Sequence, residues 1–343
     1  NNEVKTEKVN MFNYTSNGMI AGAGEANKNY VTNGLYTMDD EDGISYYFRG
    51  NIDNNNVQFG EYEDDYYVYH SFVSYFQTLE SCQEYDSSCS ESNKVKLASK
   101  GDKMYWKILR VNGDGSLRLI YNGTSANPTN NDLVNSYAVG ISVFNLMTNE
   151  RKYSGYTYDR NTNETDSFIK REVDSWYKNT LGSNNTYDNK VLEGNFCNDS
   201  SEYQLYDGTV GIYGNVYRLV QVANNFSQPN SPTLKCPVTD ESYGGSYKLK
   251  AGLITADELV LAGESYGIEG DSYLNNSNMP YWTMTPSTFN DNMAGIYDKQ
   301  EYFAGDAVDS FDDAIRPVIN VTTDRGFTSG DGTKNNPFTI ELG

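Results

Sequence analysis

The segment that most constrains the fold of this chain is residues 104–121, because it has the pattern of a β-hairpin. Met104–Val111 and Ser116–Tyr121 are rich in strand-forming residues, and Asn112-Gly113-Asp114-Gly115 separates them. Asn-Gly and Asp-Gly supply the positive φ angles that tight hairpin turns require. A chain organised around such a hairpin is expected to contain an antiparallel sheet.

Further strand patterns surround the hairpin. They are bounded by Gly, Asn and Asp, which mark turns. The predicted strands cover residues 34–36, 45–50, 57–59, 280–287 and 314–321, and a final turn and strand cover residues 330–340.

Two segments instead have helical periodicity. From about Asp166 to Asn179, Ile169, Val173 and Trp176 recur on one face, which predicts a buried helix that Thr165 or Asn163 caps. The second helix begins at Thr255, which has capping-box spacing to Glu258, and ends at Gly263. The predicted fold class is therefore α+β, strand-dominated, with two embedded helices.

The chain divides into three parts by composition. Residues 1–29 form a polar arm, residues 30–325 a β-rich module, and residues 326–343 a C-terminal turn and strand. An arm of this composition buries too little apolar surface to order itself alone. We expect it to dock on its own sheet or to add a strand to a neighbouring molecule.

The net charge of −21 disfavours several partners. Such a chain repels phosphate backbones and anionic membrane surfaces, so no nucleic acid partner is expected. No apolar run reaches membrane-spanning length, so we expect no membrane span within the sequence.

Four cysteines allow three pairings, of which Cys82–Cys89 and Cys197–Cys236 is the simplest. The chain lacks a Cys-x-x-Cys motif and has a single His, which disfavours zinc. Free thiols of a cytosolic protein are the alternative. The abundance of Asn, Ser, Thr and Tyr favours an oxidising compartment and hence a secreted protein.

Seven segments resemble a family of uncharacterised secreted or surface-anchored proteins of gut-type Firmicutes. The resemblance implies an extracellular location on a bacterial cell surface. It lies in residues 42–50, 103–116, 196–199, 233–237, 252–258, 282–287 and 316–320.

The last three of these segments also resemble the C-terminal half of C-type-lectin-like folds. That group includes formylglycine-generating enzymes and the variable proteins of diversity-generating elements. In those folds two helices precede a Trp-bearing segment, and an Arg-Pro-Val strand closes the sheet, which implies a C-type-lectin-like module over residues 30–325. No Cys follows Cys236, so formylglycine chemistry is not implied.

Two kinds of binding site are predicted. Tyr281 and Trp282 beside Arg316 suit a ligand face, because aromatic rings stack on sugars and Arg binds carboxylates, although Trp282 also suits a core position. A structural calcium ion is the one cofactor that the acidic runs favour, since they supply oxygen ligands without matching an EF-hand loop. These runs are Asp39-Asp40-Glu41-Asp42, Glu63-Asp64-Asp65 and Asp312-Asp313.

No catalytic motif emerges. His70 is the single His, which disfavours Ser-His-Asp and Cys-His catalysis, and 47 acidic residues leave no way to choose a hydrolytic pair. The favoured function is therefore non-enzymatic adhesion or ligand binding, with a host or bacterial surface ligand as partner. The alternatives are a structural subunit that joins copies of itself into a filament or surface layer through terminal strands, and a glycan-active enzyme.

Overall fold

The predicted hairpin of residues 104–121 lies inside the larger of two extended sheets of the structure, a computed structural model. The structure describes residues 33–128, 133, 136–157, 166–199, 201, 216, 219, 232–236, 245–264, 272–275, 279–289, 293–298, 302–322 and 326–342. The predicted arm, residues 1–29, lies outside the described residues.

Strands make up most of the regular structure. They are β1 (Gly34–Asp39), β2 (Ile44–Arg49), β3 (Asn56–Glu61), β4 (Tyr66–Ser71), β5 (Ser74–Phe76), β6 (Lys94–Ala98), β7 (Lys103–Val111), β8 (Leu117–Tyr121), β9 (Gly140–Ile141), β10 (Val191–Leu192), β11 (Gly194–Cys197), β12 (Ser246–Leu249), β13 (Ala251–Gly252), β14 (Tyr281–Thr288), β15 (Met293–Asp298), β16 (Tyr302–Ala307), β17 (Ala314–Ile315), β18 (Val318–Val321), β19 (Phe327–Ser329) and β20 (Phe338–Ile340).

Four α-helices lie in the described part of the chain. They are α1 (Leu79–Tyr85), α2 (Phe168–Asn179), α3 (Asn185–Asp188) and α4 (Ala256–Ala262). The α+β, strand-dominated class is confirmed. The predicted helices correspond to α2 and α4, whereas α1 and α3 are short helices that the periodicity did not reveal.

Two large sheets and a small ribbon hold the strands. The ten-stranded sheet runs β10-β18-β8-β7-β3-β20-β19, with β2 and β1 continuing from β7 and β13 pairing with β18. The eight-stranded sheet runs β16-β15-β14-β17-β9-β5-β4-β6, and β11 pairs with β12 alone. The C-terminal strand β20 is parallel to β3, so the predicted C-terminal segment belongs to the main sheet.

The predicted strand over residues 314–321 is divided in two. Ala314–Ile315 belongs to the eight-stranded sheet and Val318–Val321 to the ten-stranded sheet. Pro317 lies between them and has no N–H to donate to a ladder. The chain therefore passes from one sheet to the other at Arg316-Pro317.

Helix α2 covers one face of the ten-stranded sheet. Ile169, Val173 and Trp176 are each 0% exposed, which confirms the predicted buried face. The Trp176 ring lies 6.2 Å from that of Trp106 and 5.6 Å from that of Tyr121, centroid to centroid. The cap is Ser167, whose side chain accepts from the N–H of Lys170; the predicted caps Thr165 and Asn163 lie outside the described residues.

Two disulfides are present, and both have the predicted partners. Cys82 pairs with Cys89 and Cys197 pairs with Cys236. The described residues contain no free cysteine. Such bonds are typical of oxidising compartments. In the part of the chain that the structure describes, no helix is long and apolar enough to cross a membrane.

The loop between β4 and β5 places a bulky residue in the left-handed region. Phe72 has φ of 54° and a side chain that is 75% exposed. That backbone costs an ordinary L-residue roughly 1–2 kcal/mol, and Asn tolerates it better. We expect Phe72→Asn to raise the free energy of unfolding by about 1 kcal/mol in urea titrations. Val73→Asn, at the adjacent exposed position, should give no gain; an equal gain would show that strain at Phe72 is not the cause.

Candidate functional site

A polar cleft lies where four parts of the fold meet: the β7–β8 hairpin, the N-terminus of α4, the β11–β12 ribbon and the turn after β1. Its volume is about 700 Å³, including space open to solvent. Charged and amide side chains, rather than apolar ones, form its floor. The floor is built by Arg110, Arg118, Glu258, Asn112 and Asn320.

The hairpin register brings two arginines together at the floor. A register shift between Ile108 and Arg110 places Arg110 directly opposite Arg118. Like charges in that position repel each other unless a counter-charge lies between them. Glu258 is that counter-charge: its Oε1 lies 2.5 Å from Arg110 Nη1, and Arg118 Nε contacts the same oxygen.

The capping box of α4 fixes the position of Glu258. Thr255 Oγ1 accepts from the N–H of Glu258 at 3.2 Å, and Glu258 Oε2 accepts from the N–H of Thr255 at 3.0 Å. The predicted capping box is therefore confirmed. One carboxylate thus both caps the N-terminus of the helix and holds the two guanidinium groups.

All three charged side chains are buried, and burial affects the pKa values of Glu258 and Arg110. Burial acts to raise the pKa of Glu258, but the attraction of Arg118 and Arg110 outweighs it, so the pKa is lowered. Burial lowers the pKa of Arg110 to about 10, against the attraction of Glu258. Two guanidinium groups share Glu258, Asp40 also attracts Arg110, and the cleft lining as a whole holds more carboxylates than cations.

A chain of side-chain hydrogen bonds continues from Arg110 across the floor. Arg110 Nε donates to Asn112 Oδ1 at 2.7 Å, and Asn112 Nδ2 donates to Asn320 Oδ1 at 2.8 Å. Because Arg can only donate, it dictates which way both amides point. The chain ends at Asn320 Nδ2, which has no acceptor among the described residues although it is buried.

The acidic run after β1 forms the rim of the cleft. Asp40 Oδ1 accepts from the N–H groups of Asp42 and Gly43 at 2.9 and 3.0 Å, and its Oδ2 accepts from Gly113 N–H at 2.9 Å. Glu41 Oε1 accepts from the N–H of Cys236 at 2.9 Å. These carboxylates tie the β7–β8 turn and the Cys197–Cys236 disulfide to the end of β1.

The predicted ligand face of Tyr281, Trp282 and Arg316 lies inside the protein. All three side chains are 0% exposed. Arg316 Nε donates to the carbonyl of Tyr121 at 2.8 Å, and its guanidinium lies 5.2 Å from the Tyr281 ring centroid. Trp282 Nε1 donates to the carbonyl of Ser142 at 2.7 Å. The structure therefore brings Tyr281 and Arg316 together but presents none of the three to solvent.

The predicted calcium ligands are only partly assembled. Asp306, Asp312 and Asp313 have carboxylate oxygens within 4.8 Å of one another, the one such group among the described residues. Three oxygens fall short of the six to eight that calcium takes. Calcium binding stays a prediction of the sequence.

His70 lies on β4, away from the cleft lining. Its ring stacks on Tyr75, with centroids 4.4 Å apart. The carbonyl of His70 accepts from Asn93 Nδ2 at 2.9 Å. In the structure it is therefore a half-buried packing residue.

Sequence reasoning found one member of the cleft floor in a structural role and missed the others. The sequence pattern indicates a capping role for Glu258. It gives no separate role to the residues within the predicted strands and the hairpin turn, which are Arg110, Arg118, Asn112 and Asn320. The signal was present in the hairpin, where Arg110 and Arg118, like Lys103 and Lys107, are charged residues among apolar ones.

Comparisons with protein-family models, curated proteins and solved structures give no match for this chain.

Proposed function

We propose that this protein is a non-enzymatic protein of the bacterial cell surface that binds a polar ligand in the cleft, for adhesion or capture. The observation that carries the proposal is the built floor, where a buried hydrogen-bond chain ends in a donor with no acceptor among the described residues. Buried polar groups in proteins are normally satisfied, so an unsatisfied one that lines a cleft favours a ligand. The two disulfides and the sequence resemblance support the extracellular location.

The ionisation of Glu258 favours binding over acid catalysis. A general acid must be protonated near the working pH, which requires a raised pKa in a carboxyl group. The arginines instead lower the pKa of Glu258 and keep it ionised. Both of its oxygens are already engaged by Arg110, Arg118 and Thr255.

A glycine substitution tests the proposal with little change elsewhere. A Cβ at Gly194 would lie 2.0 Å from Asn320 Nδ2, so alanine there must displace the amide. The wild-type protein is first screened on an array of host and bacterial glycans and dipeptides. We expect Gly194→Ala to abolish the binding of the ligands found there, or to weaken their binding by roughly tenfold or more.

Gly245→Ala is the matched control. Gly245 immediately precedes β12, which pairs with the strand that begins at Gly194, and a Cβ there would meet nothing within 4 Å. It should bind like the wild-type protein. Equal binding by both variants, or no ligand for the wild-type protein, would contradict a binding cleft.

A structural subunit is the second candidate, and one edge of the main sheet favours it. All three residues of β19 are exposed, and among the described strands β19 is the last one beyond β20. An exposed edge can accept a strand from another molecule. The predicted donor strand near Phe338 is already paired within its own sheet, which leaves the arm, residues 1–29, as the donor in this proposal.

Sedimentation separates the two candidates. A filament subunit should polymerise as a full chain and fall apart when residues 1–20 are deleted. A chain that sediments as a monomer before and after the deletion would leave the binding function alone standing.

A further inference from the structure

We propose that the aromatic end of the eight-stranded sheet is a second docking surface, and that its partner is a polypeptide whose apolar face is bordered by Lys or Arg. The aromatic end consists of the β4–β5 turn, Phe72-Val73, and the loop before β17, residues 309–313. The inference goes beyond the cleft and does not depend on it. It rests on how the two loops meet, on their exposure, on the backbone of Phe72 and on the local charge.

The sheet brings the two loops together. β5 and β17 are each antiparallel to β9, so they run in the same direction and begin at the same end of the sheet. Ser74 Oγ donates to the carbonyl of Phe311 at 2.7 Å, which ties the start of β5 to the loop before β17. Segments far apart in the sequence thus form one surface.

That surface is apolar and open to solvent. Phe72 is 75% exposed, Phe311 49% and Val73 47%. Among the described residues, Phe72 is the most exposed of the large apolar side chains. A single exposed apolar residue is ordinary, whereas several on adjoining loops indicate an interaction site, and aromatic residues are enriched in protein interfaces.

The backbone of Phe72 supports a functional reason for this exposure. Ser71 pairs with Ser74, so Phe72 and Val73 form a two-residue hairpin loop. Phe72 has φ of 54°, a conformation that Gly, Asn and Asp adopt at lower cost in such loops. Because the ring is mostly exposed, burial within the molecule does not offset the strain. Strained residues of this kind cluster at functional sites.

Negative charge accompanies the apolar side chains. Asp306, Asp312 and Asp313 bring carboxylate oxygens within 4.8 Å of one another, and Asp309 is exposed on the same loop. Neither residues 66–76 nor residues 302–315 contain Lys or Arg. Cations on the partner complement this charge, whereas a second copy of the chain or an anionic lipid surface is repelled by it.

Cations on the elements around the aromatic end do not neutralise that charge, because each has an acidic partner of its own. The pairs are Lys94–Glu91, Lys96–Asp65, Lys152–Glu150 and Arg171–Glu84.

Three synthetic peptides test the assignment by isothermal titration calorimetry, in buffer with EDTA so that the carboxylates hold no calcium. The first is a helical peptide with Leu on one face and Lys along its borders. The second has Glu in place of each Lys, and the third has Ser in place of each Leu. We expect the first to bind the wild-type protein and the other two to bind at least tenfold more weakly, because each lacks one of the two complementary features.

Three variants locate the interaction. Phe72→Asn should be at least as stable as the wild-type protein, because it relieves the strained backbone, yet it should bind the first peptide at least tenfold more weakly. Phe311→Ser, on the other loop, should show the same loss of binding. Asp312→Asn removes an exposed charge, and should weaken binding and reduce its dependence on salt.

Two control variants alter other parts of the surface. Ile44→Ser removes a side chain that is 59% exposed on β2, in the ten-stranded sheet, and should bind the first peptide like the wild-type protein. Gly194→Ala, which alters the cleft, should also bind it like the wild-type protein. A loss of the peptide in Gly194→Ala alone would place the peptide in the cleft and overturn the second surface while leaving the proposed function standing.

Other outcomes overturn the partner that is assigned here. Equal binding of the first peptide by the wild-type protein, Phe72→Asn and Phe311→Ser, or no binding at all, contradicts the proposal. Self-association in sedimentation that Phe72→Asn abolishes would identify a second copy as the partner instead. Binding to phosphatidylcholine or phosphatidylglycerol vesicles that Phe72→Asn abolishes would identify a lipid surface.

Discussion

Replacing Glu258 with alanine is expected to lower the free energy of unfolding by about 3–5 kcal/mol, because the substitution leaves two buried guanidinium groups facing each other. Arg110 and Arg118 lie directly opposite on β7 and β8, and both are more than nine-tenths buried. The same change removes the side chain that accepts from the N–H of Thr255 at the start of α4. Equilibrium urea unfolding of the disulfide-bonded protein measures the loss.

Two further variants show which interaction accounts for the loss of stability. Glu80→Ala removes an exposed acid from the first turn of α1 and should change the free energy of unfolding by less than about 1 kcal/mol. A triple variant, Arg110→Met, Arg118→Met and Glu258→Leu, removes all three charges and should recover most of the stability. A triple variant as unstable as Glu258→Ala would show that unpaired charge is not the cause.

The triple variant also bears on why the charges are present. Apolar side chains of similar size often stabilise a protein at least as well as a buried ion pair. If the triple variant is stable but binds no ligand, the charges are retained for binding. That outcome would connect the energetics of the floor with the proposed function.

The sequence was sufficient for those elements of the fold that have a strong local pattern. The hairpin, the buried face of α2 and the capping box at Thr255 and Glu258 depend on local patterns, which are visible in a single chain. The simplest of the three possible cysteine pairings is also the one in the structure. These features need no knowledge of how distant segments meet.

The cleft depends on distant segments and on one register shift. Counting outward from the turn at residues 112–115 pairs Val111 with Ser116, which would place Arg110 opposite Leu117. In the structure Val111 pairs with Leu117 and Arg110 with Arg118. Because a shift of one residue moves a side chain to another neighbour, the sequence could not show that the two arginines meet. Glu258 and Asn320 reach them from more than 100 residues away.

The prediction of an exposed ligand face was wrong, because its residues are buried. Tyr281, Trp282 and Arg316 combine aromatic rings with a cation, a composition that suits both a binding surface and a satisfied core. Every residue of β14 is buried, because the strand lies within the eight-stranded sheet under α4 and the turn before α2. Burial of a strand on both faces is a property of the assembled sheets and is not written in the strand itself.

Lys107→Met is expected to raise the free energy of unfolding by roughly 4 kcal/mol at pH 7, whereas Glu258→Ala is expected to lower it. Lys107 lies on β7 opposite Asn56 and is 1% exposed. No described residue offers its ammonium group a hydrogen bond or an ion pair. Its pKa falls from 10.5 to about 7, chiefly by burial and then by the charge of Lys334, while Asp53 acts in the opposite direction.

The effect has a defined pH window. Between about pH 7 and 10.5 the unfolded chain holds a proton on Lys107 that the folded protein lacks, so this residue makes stability rise with pH. Below about pH 7 both states are protonated, and the full cost of the buried charge is present. The advantage of Lys107→Met should therefore be largest at and below pH 7, and should shrink by about 1.4 kcal/mol per pH unit above it.

Comparison with the wild-type protein at each pH isolates Lys107 from other buried groups. Burial also raises the pKa of Glu172 to about 7, which makes stability fall between about pH 4.5 and 7, but this contribution is common to both proteins and cancels.

Lys103→Met, on the same strand as Lys107, is the control. The half-exposed ammonium group of Lys103 pairs with Glu61, and its pKa is raised rather than lowered. In urea unfolding at pH 6, 7, 8 and 9, the free energies of unfolding of Lys107→Met and the wild-type protein should converge as the pH rises. Those of Lys103→Met and the wild-type protein should not converge. A constant difference between Lys107→Met and the wild-type protein across that range would mean that Lys107 stays protonated in the fold, and that some acceptor reaches its ammonium group.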